Sequence, residues 1–195
     1  MIDAMKCPSC RTAFATPVPQ CPKCQLSLRQ LDARFGTVPR HTRYLTDRSG
    51  QLSLREIKKL RGLLKIFEKK FPQSLFSVFV TNQVQDGSMS EYTFWLFNRA
   101  RFSSIESVEG GNFDLLLGID LEAGAAALTI GYGLESYVTD EDLQAALAGA
   151  QSAFRAGDYF LGIRESVAFM MNRMREIAKK QEKRAAVVTP ASTDY

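Results

Sequence analysis

The four cysteines of this 195-residue chain all lie in two Cys-Pro-x-Cys motifs near its N-terminus. The motifs span 7–10 and 21–24, and ten residues separate them. Each motif places two thiolates on one side of a tight turn, and two facing turns form the tetrahedral sulfur site that Zn²⁺ prefers. A segment this short cannot bury enough apolar surface to fold alone, so metal binding and folding are expected to be one event. We therefore predict a structural zinc site within residues 1–28, with four ligands: Cys7, Cys10, Cys21 and Cys24.

Two other uses of these cysteines fit the sequence less well. A thioredoxin-like redox pair would follow a strand and open a helix, whereas these motifs contain proline and lie in polar surroundings. Two disulfides would be typical of a secreted protein, yet Met1–Lys6 contains no apolar segment of a signal peptide. The motifs resemble those of zinc ribbons, many of which carry glycine after each pair. This chain departs from that pattern with Arg11 and Gln25.

Composition limits the classes of protein to which the rest of the chain can belong. No stretch approaches the roughly 18 consecutive apolar residues of a membrane span, and with no signal peptide we expect a cytoplasmic protein. The net charge is +5 over residues 1–45, −4 over 46–172 and +3 over 173–195. Such basic ends are either solvated or in contact with nucleic acid, an anionic membrane surface or an acidic protein.

Hydrophobic periodicity predicts one α/β domain over residues 45–184, after a linker at 29–44 and before a disordered tail at 185–195. Leu26, Leu28 and Leu31 allow a short helix at the start of the linker, before Gly36 and Pro39 break the pattern.

Caps and apolar runs place the elements of the α/β domain. A capping box at 53–56 begins the first helix, which ends before Pro72. An apolar run over 75–80 predicts a buried strand, and a second helix is expected over Glu91–Arg101. Later helices should follow a cap at Thr139 and begin near Asp158.

Two further apolar runs, Phe113–Ile119 and Ala127–Ile130, predict an antiparallel hairpin. The intervening segment is too short for a parallel crossover. Helices that alternate with strands, together with a hairpin, indicate a mixed sheet with helices on both faces.

The predicted hairpin suggests a second metal site at one edge of the sheet. It brings Asn112 beside Gly131–Glu135, and Asp140 and Asp142 follow after a short turn. Carboxylate and amide oxygens suit Ca²⁺ or Mg²⁺, so Asn112, Glu135, Asp140 and Asp142 are the candidate ligands. The alternative is that the two aspartates only favour the N-terminus of the helix.

Short motifs between Leu45 and Val167 resemble the TPM domain, a module shared by thylakoid phosphatase-like proteins, photosystem repair proteins and many bacterial proteins. The most specific motif is Gly131-Tyr132-Gly133-Leu134-Glu135, followed by Asp140. The supporting residues are Asp47, Gly50, Leu52-Ser53, Tyr92, Leu96, Phe97, Leu115–Leu117 and Gly157-Asp158-Tyr159.

This resemblance implies a Rossmann-like αβα sandwich, a divalent metal near the Gly-Tyr-Gly turn, and the acid phosphatase activity reported for some plant members. The chain departs from the family around that turn. The usual Asn-Asn-Gly before the central strand is Gly110-Gly111-Asn112, and Ala125–Ala127 stands where an arginine is common. These departures weaken the case for catalysis more than the case for the fold.

Three functions follow from these features. The first is a zinc ribbon with a TPM-like module that binds a protein partner in assembly or quality control of a complex. The second is a metal-dependent acid phosphatase, in which Glu135, Asp140 and Asp142 position an ion that polarises a phosphoryl oxygen. A remoter third is nucleic-acid binding through Cys7–Arg43, which lacks interleaved aromatic residues. The sequence favours binding because it supplies no evident nucleophile and only one histidine, His41.

Overall fold

The computed structural model of the chain describes residues 5–14, 16, 18–82, 84, 88–100, 102 and 113–188. Within these residues, short strands and one helix precede a larger α/β unit. The elements in chain order are β1 (Met5–Lys6), β2 (Ala13–Phe14), α1 (Leu28–Phe35), β3 (Leu45–Asp47), α2 (Leu54–Lys70), β4 (Phe76–Thr81), α3 (Met89–Arg99), β5 (Leu115–Asp120), β6 (Ala125–Ile130), α4 (Asp140–Arg155) and α5 (Tyr159–Val188).

The larger sheet has the strand order β3-β4-β5-β6. The first three strands are parallel, and β6 runs antiparallel to β5, with Leu115 opposite Ile130. Every residue of β4 and β5 is buried, which is typical of strands covered on both faces. The predicted mixed sheet and hairpin are therefore confirmed. The short edge strand β3 was not predicted, because three residues carry too little of the alternating pattern.

Helices cover both faces of this sheet, which confirms the α/β sandwich. Alternate residues of a strand point to opposite faces. Val78 and Leu117 pack with α2, α4 and α5 in one apolar cluster. Phe79 and Leu116 pack with α1 and α3 in a second cluster.

Side-chain caps determine where the helices begin. The predicted capping box at Ser53 and Glu56 is present, and Thr139 caps α4 as expected. The predicted start of the second helix at Glu91 is wrong: α3 begins at Met89, because Ser88 is the cap and accepts the N–H of Glu91. The same helix ends at Arg99 rather than at residue 101.

Two helices extend into the segments that were assigned to a linker and to a tail. The helix α1 begins at Leu28, after a capping box formed by Ser27 and Gln30, and extends into 29–44; its Leu31 is fully buried. At the other end of the chain, α5 continues to Val188, inside the predicted tail. The first of these helices joins the cysteine motifs to the sheet.

Candidate metal centre and the sheet edge beside it

The two cysteine motifs form matching tight turns. The N–H of Arg11 donates to the carbonyl of Cys7 at 3.0 Å, and the N–H of Gln25 donates to that of Cys21 at 2.9 Å. Arg11 and Gln25 have φ angles of 60° and 61°, in the left-handed region that favours glycine. Both turns thus have, directly after the second cysteine, the backbone conformation that glycine favours, although neither residue is glycine.

The four sulfur atoms converge on one point. The Sγ atoms of Cys7 and Cys24 are 3.5 Å apart, those of Cys10 and Cys21 are 3.6 Å apart, and all four lie within 4.8 Å of one another. Tetrahedral zinc with Zn–S bonds of about 2.3 Å requires sulfur separations of roughly 3.8 Å. None of the four cysteines is in a disulfide bond. This cluster could hold a metal ion such as zinc.

The environments of the thiols differ before a metal binds. Burial raises the pKa of Cys7 to about 12, whereas a hydrogen bond with the side chain of Thr12 lowers the pKa of Cys10 to about 6. Metal ligation requires thiolates, so binding at this cluster must release protons.

We use the term cysteine module for residues 5–28, which contain the two motifs together with β1 and β2. The helix α1 attaches this module to one face of the α/β domain. Asp32 on α1 accepts a hydrogen bond from Trp95 Nε1 at 3.0 Å and two from Arg99 at 2.9 and 2.7 Å. The Arg99 guanidinium lowers the pKa of Asp32. Sequence reasoning missed this attachment, although Leu28 and Leu31 indicated the helix itself.

A second attachment lies at the N-terminus of α4. Lys6 Nζ lies 2.7 Å from Asp140 Oδ2, and Arg11 Nη1 lies 4.0 Å from the same oxygen. Asp140 is the first residue of α4, where the helix dipole favours negative charge. The cations of the cysteine module thus neutralise a carboxylate that was a candidate metal ligand.

The other three candidate ligands of the divalent site do not share one environment. Asn112 lies outside the described residues. Glu135 is half-buried, and burial together with the nearby Asp140 raises its pKa to about 7. Asp142 accepts the backbone N–H of Thr139 at 3.0 Å and pairs with Arg173, with 2.8 Å between Oδ2 and Nε. The structure therefore brings Glu135 and Asp140 together, whereas Asp142 is engaged within the domain.

A cavity of about 860 Å³ separates the cysteine module from the sheet edge formed by β6. Residues 126–130 of β6 line one side, and Glu135 and Asp140 line one end. The other walls include the cysteine module with Arg11, Phe14 and Leu26, the helix α3 with Phe94 and Phe97, and the helix α4 with Leu143 and Leu147.

Two aspartates at the opposite end of the sheet accept hydrogen bonds from backbone N–H groups of nearby loops. The carboxylate of Asp47 accepts the N–H groups of Ser49, Gly50 and Leu52. Asp120 lies at the far end of the hairpin and accepts the N–H of Val84 at 2.8 Å. Asp47 therefore stabilises the turn that leads from β3 to α2.

A family model described as the TPM domain matches residues 45–173. The chain belongs to the TPM domain family. No curated protein matches the chain. Within the described residues, no helix is long and apolar enough to cross a membrane.

Two solved structures share the architecture of this TPM domain. The N-terminal domain of a protein from P.gingivalis is 24% identical, with 77% of this chain and 88% of that chain covered and a TM-score of 0.58. The BA42 protein from the psychrophilic bacterium Bizionia argentinensis is 12% identical, with 67% and 86% covered and a TM-score of 0.56. Identities this low show the fold alone.

Proposed function

We propose that this protein is a binding module that holds a partner protein during assembly or quality control of a complex. In this proposal the cysteine module carries a structural zinc ion and acts together with the TPM domain. A closed set of four cysteine ligands is typical of structural zinc, because it leaves no open position for a substrate.

The ion pair between Lys6 and Asp140 carries this proposal. A catalytic divalent ion at this edge would need free carboxylates. Asp140 is neutralised by cations of the cysteine module, and Asp142 is bonded to Thr139 and Arg173. Among the described residues, the only group of three or more metal-ligating side chains close enough to share an ion is the four cysteines. The arrangement supports attachment of the module to the domain more directly than catalysis.

Affinity capture from native lysate tests this function. The immobilised full chain is incubated with lysate, and captured proteins are quantified with and without an excess of the free full chain as competitor. A Cys10→Ser variant removes one metal ligand, and Ser9→Ala in the same turn is its matched control. We expect a competed partner that the Ser9→Ala variant retains and the Cys10→Ser variant loses.

Absence of any competed partner would contradict the proposal. Equal capture by the Cys10→Ser variant would show that the metal-organised module takes no part in binding.

The proximity of Glu135 and Asp140 favours a second candidate, a metal-dependent acid phosphatase. These carboxylates would hold a divalent ion, which supplies charge stabilisation to a transferring phosphoryl group. Hydrolysis of p-nitrophenyl phosphate across a screen of pH and of Ca²⁺, Mg²⁺ and Mn²⁺ tests this candidate. It requires turnover that the Asp140→Ala variant loses, and no turnover under any condition eliminates it.

A further inference from the structure

The strand β6 forms one edge of the sheet, and its register determines which backbone groups point outward. The N–H of Gly131 donates to the carbonyl of Asp114, directly opposite, at 2.9 Å. Hydrogen-bonded pairs alternate along an antiparallel ladder, so Thr129, Ala127 and Ala125 also bond to β5. The N–H and C=O groups of the three residues between them therefore point away from the sheet. These residues are Ala126, Leu128 and Ile130.

These outward backbone groups have no hydrogen-bond partner among the residues that the structure describes. All three residues are half-buried, because the cavity beneath the cysteine module runs along them. Exposed sheet edges pair readily with other extended chains, and proteins usually block them with charge, proline or a covering element. Here β6 carries neither charge nor proline, and a cavity lies between it and the covering module.

This cavity has two apolar walls on opposite sides, which suit the alternating side chains of an extended chain. Phe94 and Phe97 of α3 lie on the side toward which Ala127 and Thr129 point, whereas Leu143 and Leu147 of α4 lie on the other side. A strand added to β6 would direct alternate side chains toward these two apolar walls. The opposite edge strand, β3, has only three residues.

We propose that an extended segment of a partner protein binds in this cavity as an additional strand along β6, beneath the cysteine module. This inference rests on the proposed binding function and names its surface. The segment carries apolar side chains at successive positions, which contact the α3 and α4 walls in turn.

Charge at one end of the cavity adds a requirement for the partner. Glu135 lines the cavity near the end of β6 and has no ion-pair partner among the described residues, while Glu141 lies exposed on the same rim. Lys6 compensates Asp140 at this end. A lysine or arginine in the bound segment would pair with Glu135, so the preferred segment is apolar with a basic residue at one end.

Hydrogen exchange tests the position of the bound strand. The probe is the tightest-binding peptide selected from a displayed library of short random sequences against the metal-loaded full chain. In the free protein, the amides of Ala126, Leu128 and Ile130 should exchange faster than those of Ala127 and Thr129. Binding of the peptide should protect the first three and thus remove the alternation.

Backbone changes supply the matched controls. The Ala126→Pro substitution removes an outward N–H without breaking the ladder to β5, whereas Ala126→Val keeps that N–H. The Ala126→Pro variant should bind the peptide roughly tenfold more weakly, with its thermal unfolding and metal content retained. N-methylation of the peptide should weaken its binding only when the methyl group is on every second residue, whose N–H groups face β6.

Several outcomes would overturn the proposal. With the peptide, these are failure of the library to yield a binder and protection of amides other than those of the three outward residues. Without the peptide, they are protection of the three amides in the free monomer or in a dimer of this chain. Normal capture of a lysate partner by the Ala126→Pro variant would reject the β6 site and leave the binding function intact. Absence of any captured partner would reject the binding function itself.

Discussion

Lys6 of the cysteine module and Asp140 of the TPM domain form a 2.7 Å ion pair, although 134 positions separate them in the sequence. This contact joins the two parts of the chain at the edge where the family resemblance implies a divalent metal. The side chains are 40% and 27% exposed, so the pair contributes only about 0.2–1 kcal/mol to stability. The ion pair matters because it engages the carboxylate of Asp140, which was a candidate ligand of that metal.

The cysteine module should bind one zinc ion per chain, because its four sulfur atoms are close to tetrahedral spacing. Cys10→Ser should abolish stoichiometric zinc and unfold residues 5–28, whereas Ser9→Ala should leave both unchanged. Elemental analysis by plasma mass spectrometry and amide NMR spectra check this. Full zinc content in the Cys10→Ser variant would show that the ligands were assigned incorrectly.

The Gln25→Gly substitution should strengthen zinc binding. Gln25 has a φ angle of 61°, which costs a residue with a side chain about 1 kcal/mol relative to glycine. Because folding and metal binding are coupled, Gln25→Gly should raise zinc affinity roughly fivefold in a competition titration with a chromophoric chelator. Lys23→Gly is the control. Lys23 has no positive φ angle, so this variant should bind zinc no more tightly than the wild type. Equal gains in both variants would refute the strain argument.

Gly118 of β5 is required for the close packing of α3. A Cβ at this position would lie 2.3 Å from Thr93 Oγ1 and 2.4 Å from Met89 Cε. Gly118→Ala should therefore lower the free energy of unfolding by about 1–3 kcal/mol. Gly149→Ala on α4 meets no atom within 4 Å and should raise it by about 0.5–1 kcal/mol. Urea denaturation measures both, and a neutral Gly118→Ala would contradict the packing described for β5 and α3.

Glu135 should make stability depend on pH. Burial and the adjacent Asp140, itself paired with Lys6, raise the pKa of Glu135 from 4.5 to about 7. The folded state therefore holds a proton that the unfolded state has released, and this stabilisation is lost as pH rises from 4.5 through about 7.

The Glu135→Gln variant carries a neutral amide in place of the carboxyl group, so it does not ionise as pH rises. Its melting temperature should match that of the wild type near pH 4.5 and exceed it above pH 7, with the difference developing between these values. Thermal unfolding in buffers free of calcium and magnesium measures the difference. A difference that stays constant with pH would mean that Glu135 is not desolvated in the fold.

Patterns within single elements allowed most of the fold to be predicted. The capping box at Ser53, the apolar runs of β4 and β5 and the short connection to β6 each depend on neighbouring residues, and each was confirmed. The start of α3 was misplaced because Ser88 caps a helix whose first apolar residues do not show a clear period.

The candidate site was less predictable because it depends on contacts between distant residues. The cysteine spacing predicted the sulfur cluster, since the ligands lie within one short segment. Nothing local indicates that Asp32 would bond to Arg99, or that Lys6 would reach Asp140. The excess of cations before residue 45 was the one available signal, and it does not specify which carboxylates they meet.

The most direct test of this account is a calorimetric titration of the metal-loaded full chain with Ca²⁺ and with Mg²⁺, comparing the wild type with Asp140→Ala. If Asp140 serves to attach the cysteine module, neither protein should show saturable binding. Saturable binding that Asp140→Ala loses, accompanied by hydrolysis of p-nitrophenyl phosphate with the same metal dependence, would contradict the account and favour a metal-dependent phosphatase.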